Sequence, residues 1–513
     1  MSGRYLSVAK WVVFFFFLFL FLYKTVTFVD PDLGWHLAAG AIVAETGTAP
    51  TNDPWTYTMY GHEWIDHEWL VDGILYAAQK SGNWALVQVT FFLLAFLPLL
   101  YWLVRAKHLL SLVFVVLAGH VLVDVIGVRP QMLSFFLFFL LFEILWNKRL
   151  ASHKATLFFL PLFFLLWANL HGGFPVGLML WGALLGTRTF ILVVRREMPF
   201  RQYALEWSSF GASLLTTLGT PYGTSLWLEI IHTASTPLLR EIIEWQWSFV
   251  HWPIALPLFV GAGAGLLLVF ARSLQSSFIL SAGVFLLLGV KHARMAPFLF
   301  VAALPLIEQA LALFSEKIAA HKNAYTVRWA ADRLAILSVF LLLIAAATSR
   351  DRLIPYHPPY DAIAALKRIE TVHPGRVFNE YGFGGALILD DPKRTLFIDG
   401  RMPHWNDESG YSAFTEYLDV HYKEGRARAV FDKYGITIVI VRQTDSARMQ
   451  NREERLSALP PFVKNTVKFL FPLRQAFLLT ELHGAGWCTV YRDTEALILV
   501  APGSRLCTGG SAH

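Results

Sequence analysis

The sequence predicts a polytopic α-helical membrane protein of about eleven spans, carrying a C-terminal extracytoplasmic α/β domain. Three observations predict it. Of 513 residues 55% are hydrophobic and only 16% charged, where a soluble domain carries about 25% charged residues. Apolar runs approach the roughly 20 residues that a membrane-crossing helix needs. After Arg350 the composition changes to that of a soluble domain. Residues 1–350 are therefore expected to form the membrane domain, with a first outer loop at 30–83, and residues 351–513 the soluble one.

Candidate spans lie near 11–29, 84–104, 108–126, 131–147, 156–170, 174–194, 203–219, 254–271, 275–290, 295–314 and 331–348. No small-x-small cleavage site follows the first apolar run, so an uncleaved first span is expected. Basic residues sort by side. Inner turns hold Arg4, Lys10, Arg105, Lys107, Lys148, Arg149, Lys154, Arg195, Arg196, Arg201, Arg272, Lys317, Lys322, Arg328 and Arg333, whereas outer turns hold chiefly Arg129, Arg240, Lys291 and Arg294. This alternation places the loop 30–83 and everything after Arg350 outside the cytoplasm. The net charge of +6 is spread over these turns and forms no basic soluble face, which excludes a nucleic-acid partner. Cys488 and Cys507 fit no metal spacing; a disulfide between them is chemically allowed outside the cytoplasm but is not the favoured expectation.

The first outer loop concentrates the chemistry. It reads DPDLGWHLAAG, NDPWTYT and GHEWIDHEWL, and gathers Asp30, Asp32, His36, Asp53, His62, Glu63, Asp66, His67 and Glu68 among four tryptophans. Asp32 can cap a helix over 33–45, with Gly47 past its end. A second helix is expected over 66–80, with Glu68, Asp72 and Gln79 on one face. Trp-rich helices of this kind rest in the membrane interface, and both are expected there.

The bland reading of Asp30 and Asp32 is a loop acid beside a helix cap. Against it, ionisable groups where a span meets the surface lean functional, and a helix N-terminus favours an anion. His36, His62 and His67 with the carboxylates could hold a metal, but no HExxH-type spacing appears, and packing accounts better for GHEWIDHEW. Arg129, His171, Lys291 and Arg294 stand at outer span ends, where ordinary snorkelling competes with a pocket for an anionic headgroup. Arg294 is the preferred phosphate contact. EIIEWQWSFVHW at 241–252 is expected to be a further interfacial segment.

In the soluble domain, 361–369 and 414–425 are expected as helices, 375–379, 394–400 and 436–442 as strands, and 487–501 as a hairpin, after a linker at 354–360. GFGG within 379–388 is not a dinucleotide fingerprint, and it and FIDGRMPHW at 397–405 are read as turns plus core packing.

A span followed by an acidic DPD, two short loop helices, many further spans and an extracytoplasmic C-terminal domain resembles the GT-C superfamily of membrane glycosyltransferases. The outline is similar to protein O-mannosyltransferases, aminoarabinose transferases and oligosaccharyltransferases. DPDLGWHLAAG, NDPWTYT, HEWL, NLHGGF, TPYG, NEYGFGGALI and FIDGR resemble a set of bacterial membrane proteins. The resemblance implies the bacterial inner membrane, a polyprenyl-phosphate-linked sugar donor, and a lipid, glycan or protein acceptor. It puts Asp30, with Asp32, at the acceptor or at a divalent metal ion. His36, His67, Glu68, Arg129, His171, Lys291 and Arg294 would bind substrate. No WWDYG-like signature appears, which argues against N-glycosylation. The competing reading is a catalytically inactive GT-C-like protein that binds lipid-linked glycan or scaffolds envelope assembly.

Overall fold

A computed structural model describes residues 2–195, 200–320, 324–348, 358–443, 461 and 477–507. The chain forms two compact units. One comprises Met1–Phe28, His67–Ile231 and Arg240–Pro355, the other Val29–Asp66, His232–Leu239 and Tyr356–His513. Most of the expected linker at 354–360, and a boundary at 350, lie outside the described residues.

The first unit is helical. It opens with α1 (Ser2–Thr27) and continues through α3 (Trp69–Lys80), α4 (Trp84–Arg105), α5 (Leu109–Val125) and α6 (Gln131–Trp146). Helices Lys154–Leu170, Phe174–Arg195, Phe200–Thr216, Ala255–Phe270, Ser276–Lys291, Ala296–Ala319 and Ala324–Thr348 complete it. Among the described residues, six helices are long and apolar enough to cross a membrane, and four further apolar helices are shorter. The chain is a multi-pass membrane protein, although these lengths do not establish a count of eleven. Its centre is aromatic: Phe138 meets Phe285 and Phe298 edge-on, each at 4.9 Å between centroids, an arrangement that suits the ring quadrupoles.

Helix α3 presents its faces the other way round from a surface helix. Glu68 and Asp72 are buried, Asp72 at 0% exposure, while Ile74 on the other side is 53% exposed. The carboxylates thus lie on the buried side of α3 and Ile74 on its exposed side. The segment 241–252 consists of short 3-10 turns, Pro237–Glu241 and Ile243–Trp245, and one helical turn at Ser248–His251.

The second unit is α/β. Its four strands are β1 (Arg376–Asn379), β2 (Ile436–Arg442), β3 (Cys488–Arg492) and β4 (Ala496–Val500), in the order β1-β2-β4-β3. The pair β1–β2 is parallel, whereas β2–β4 and β3–β4 are antiparallel. Helices Tyr360–Val372 and Ala413–Tyr422 form as expected. A Cys488–Cys507 disulfide ties β3 to the 3-10 turn Arg505–Cys507 beyond β4, with Cα atoms 5.6 Å apart, against the sequence expectation.

Residues 396–399 are buried, but 394–400 form no strand, only an isolated bridge between Leu396 and Thr56, which corrects the expectation of a strand there. The Asn379 side chain occupies the place where a neighbouring strand would pair. Its Oδ1 accepts from Phe397 N–H at 3.0 Å, and its Nδ2 donates to the Ile398 carbonyl at 2.7 Å. On the other side Leu396 exchanges backbone hydrogen bonds with the first loop, its N–H reaching the Trp55 carbonyl (2.8 Å) and its carbonyl accepting from Tyr57 (2.9 Å). The backbone groups are thus satisfied without a sheet.

The first loop belongs to this unit. Helix α2 (Leu33–Thr46) ends at Gly47, whose positive φ of 71° suits glycine. Asp32 occupies the cap position but makes no side-chain cap hydrogen bond. Leu33 to Gly40 are all buried, so α2 is a core helix rather than an interfacial one. It packs on helix Gly384–Asp390 almost backbone to backbone: a Cβ on Gly34 would lie 1.7 Å from the Gly385 carbonyl oxygen. The glycines of GFGG therefore make the seat for DPD and α2.

Candidate functional site

Several expected site residues of the helical unit form one polar cluster. Glu68, just before α3, sends Oε1 to within 3.1 Å of His171 Nε2 and 3.8 Å of His67 Nε2. His171 follows helix Lys154–Leu170. Its Nδ1 accepts from the Gly173 N–H at 2.8 Å and faces Ser134 Oγ at 2.8 Å, and that hydroxyl accepts from Trp167 Nε1 at 2.7 Å. Because a backbone N–H can only donate, the imidazole proton sits on Nε2, facing Glu68.

Arg129, in the turn before α6, pairs with Glu244 through Nη2. Burial alone would raise the Glu244 carboxyl, but Arg129 and Arg294 together hold it below the usual carboxylate value. Arg294, between helices Ser276–Lys291 and Ala296–Ala319, lies over the Trp245 ring at 5.7 Å. It is half-buried and has no ion pair among the described residues. Its field reaches both Glu244 and His171. Lys291 is exposed at the end of its helix, and its charge acts on His292.

In the α/β unit, Asp30 is 5% exposed and its Oδ1 accepts the Asp32 N–H at 2.8 Å. The Asp32 carboxylate lies against Gly400, where a Cβ would come within 2.0 Å of Oδ1. His36, one turn on, is buried against Trp35, with ring centroids 3.7 Å apart. Next in this unit stands an ion cluster that the sequence reading missed. Arg401 Nη2 donates to Asp53 Oδ1 and to Asp399 Oδ2, both at 2.6 Å, and its Nε donates to Asp399 Oδ1 at 2.9 Å. The guanidinium lies between Trp64, Trp55 and Trp405, at 4.5, 4.7 and 5.1 Å from their ring centroids. Asp53 also accepts from the Trp55 and Thr56 backbones, at 3.1 and 3.0 Å.

No family model and no curated protein matches the sequence. Solved structures do. The archaeal oligosaccharyltransferase AglB from Archaeoglobus fulgidus, in complex with an inhibitory peptide and a dolichol-phosphate, aligns over 86% of this chain and 70% of its own, with a TM-score of 0.55 and 12% identity. The likeness is one of fold: the chain shares the fold of that oligosaccharyltransferase structure. Crystal structures of the Archaeoglobus fulgidus oligosaccharyltransferase in the apo form, and tethered with an acceptor peptide containing the NVT sequon, each align with a TM-score of 0.48. They do so at 12% and 13% identity, over 86% and 85% of this chain and 69% of theirs.

Within this fold, the expected site residues divide. His67, Glu68, Arg129, His171 and Arg294 form the cluster in the helical unit, Lys291 stands at its edge, and Asp30, Asp32 and His36 belong to the α/β unit. Among the described residues no group of three or more His, Cys, Asp or Glu is placed to hold a metal ion. Arg401 was legible in one respect: an arginine and an aspartate inside the apolar run FIDGRM need partners if that run is buried.

Burial lowers the His171 pKa from 6.5, outweighing the opposite pull of Glu68, and Arg294 and His67 add to the lowering. The imidazole is therefore neutral near pH 7. As pH falls below about 6.5 the unfolded chain takes up this proton before the folded one does. The His171 contribution to stability is thus complete above that pH and lost on acidification, until the folded group itself titrates. The detergent-solubilised protein is expected to melt at a lower temperature at pH 5.5 than at pH 7.5, and His171→Gln to reduce the difference. An equal pH dependence in both proteins would show that His171 does not titrate this way.

Proposed function

We propose that this chain is a GT-C membrane glycosyltransferase that moves a sugar from a polyprenyl-phosphate-linked donor to an extracytoplasmic acceptor, with inversion at the anomeric carbon. The observation that carries the reading is Arg294. A half-buried guanidinium stacked on Trp245, without an ion pair among the described residues, suits a phosphate. The neighbouring Arg129 is already engaged by Glu244. The likeness to AglB, solved with a dolichol-phosphate, supports a lipid phosphate as the group received. The disulfide and the distribution of basic residues support an extracytoplasmic α/β unit, and the sequence resemblance supports the bacterial inner membrane.

In the proposed reaction Asp30 accepts the proton of the acceptor hydroxyl as its oxygen bonds to the anomeric carbon. The bond from that carbon to the phosphate oxygen breaks, and its electron pair leaves with the phosphate. The transition state has oxocarbenium character, and a single displacement inverts the centre. Asp30 also favours a second reading. Its burial and its hydrogen bond to the Asp32 N–H are what a purely structural acid would show, and a GT-C-shaped glycan-lipid binder or scaffold would need no more.

The donor test uses protein purified with its native lipids. Mass spectrometry is expected to find a bound polyprenyl-phosphate sugar in the wild type and at least about tenfold less in Arg294→Ala, the loss of a charge-assisted contact. Bulk phospholipid alone in both preparations would overturn the donor assignment.

A further inference from the structure

A cavity of about 510 Å³ opens between α4, α6 and helix Lys154–Leu170. It lies at the end of these helices marked by Arg105 and Asn147, the opposite end from Arg129 and His171. Leu140, Ile144, Phe159 and Phe163 form its apolar wall, while Arg105 and Glu143 are its charged members. Its size is within the range of small-ligand sites, roughly 300–1,000 Å³.

The two charged groups are only partly used by the protein. Glu143 accepts the Tyr101 hydroxyl on Oε2, and Oε1 has no hydrogen bond among the described residues. Arg105 lies over the Tyr101 ring at 4.8 Å and forms no ion pair among the described residues. Tyr101 thus touches both the carboxylate and the guanidinium, and both line the cavity. An ionisable side chain within an apolar helix is costly to keep and marks a site when a partner can reach it.

We propose that this cavity is a second lipid site, distinct from the donor cluster, and that it takes a phospholipid whose headgroup joins a phosphodiester to a primary ammonium. Arg105 receives the phosphate, Glu143 Oε1 receives the ammonium, and an acyl chain lies along Leu140, Ile144, Phe159 and Phe163. Charge complementarity selects this occupant. An anionic lipid would satisfy Arg105 but leave Glu143 Oε1 without a hydrogen bond, whereas a zwitterionic aminophospholipid satisfies both.

The test places the full chain in nanodiscs of equal phosphatidylethanolamine and phosphatidylglycerol, extracts it in mild detergent, and measures the retained lipids by mass spectrometry. Wild type is expected to retain phosphatidylethanolamine in preference. Glu143→Gln keeps the side-chain size and can still accept from Tyr101, and is expected to cut that preference by at least about tenfold, as the loss of a buried charged contact would. Leu140→Trp fills the cavity and is expected to lose the retained lipid of both kinds. Arg105→Gln, at an exposed position, is expected to lower total retention should Glu143→Gln fail to fold. Unchanged selectivity in folded Glu143→Gln, or undiminished retention in folded Leu140→Trp, would overturn the site. Arg294→Ala is expected to leave this lipid in place while removing the donor, which separates failure of this inference from failure of the proposed reaction.

Discussion

Arg401→Met is expected to destabilise the α/β unit by about 3–5 kcal/mol, because it strips the shared cation from two buried carboxylates. Asp53 and Asp399 are both at 0% side-chain exposure and Arg401 at 2%, so water cannot replace the lost partner. Methionine keeps the apolar contact with Trp55, Trp64 and Trp405 but supplies no donor. The expected readout is a lower melting temperature and earlier proteolysis within residues 29–66. Adding Asp53→Asn and Asp399→Asn to Arg401→Met is expected to recover part of the loss, since the uncompensated charges are then gone. If the single variant melted with the wild type, this ion cluster would not be what holds the first loop in its unit.

Asp30→Asn is expected to lower sugar transfer by about 10²–10⁴-fold, the range for removing a general base, while leaving bound donor and melting temperature near wild type. An asparagine oxygen can still accept the Asp32 N–H now taken by Asp30 Oδ1, so the loop geometry should persist and the proton acceptor alone be lost. Transfer would be followed with whichever lipid-linked sugar the mass spectrometry identifies. Transfer at the wild-type rate would assign Asp30 a structural role and move the weight to the binder or scaffold reading.

The helices were legible because long apolar runs separated by basic turns leave few alternatives, and β2 and the β3–β4 hairpin were legible from Val, Ile and Leu density. What could not be read was tertiary substitution. The Asn379 side chain stands in for a ladder partner of 394–400, and no local pattern announces that. Helix α2 reads like a Trp-bearing surface helix, yet Gly34 and Gly385 allow a contact that only the folded unit shows. The cluster around Glu68 and His171 was legible as residue types at one end of the spans, but its pairing depends on α3 turning its carboxylates inward. Arg401 was passed over because its partner Asp53 lies in a different part of the chain.

The union of Val29–Asp66 with Tyr356–His513 also governs the order of assembly. The first loop leaves the ribosome about 300 residues before the segments that complete its core. At 5–20 residues per second it waits roughly 15–60 s. During that interval Trp55 and Trp64 lack Arg401, and α2 lacks its glycine seat. The early loop is thus a client for whatever shields apolar chain at the membrane surface. A C-terminal fragment made alone would be an incomplete fold rather than an independent domain.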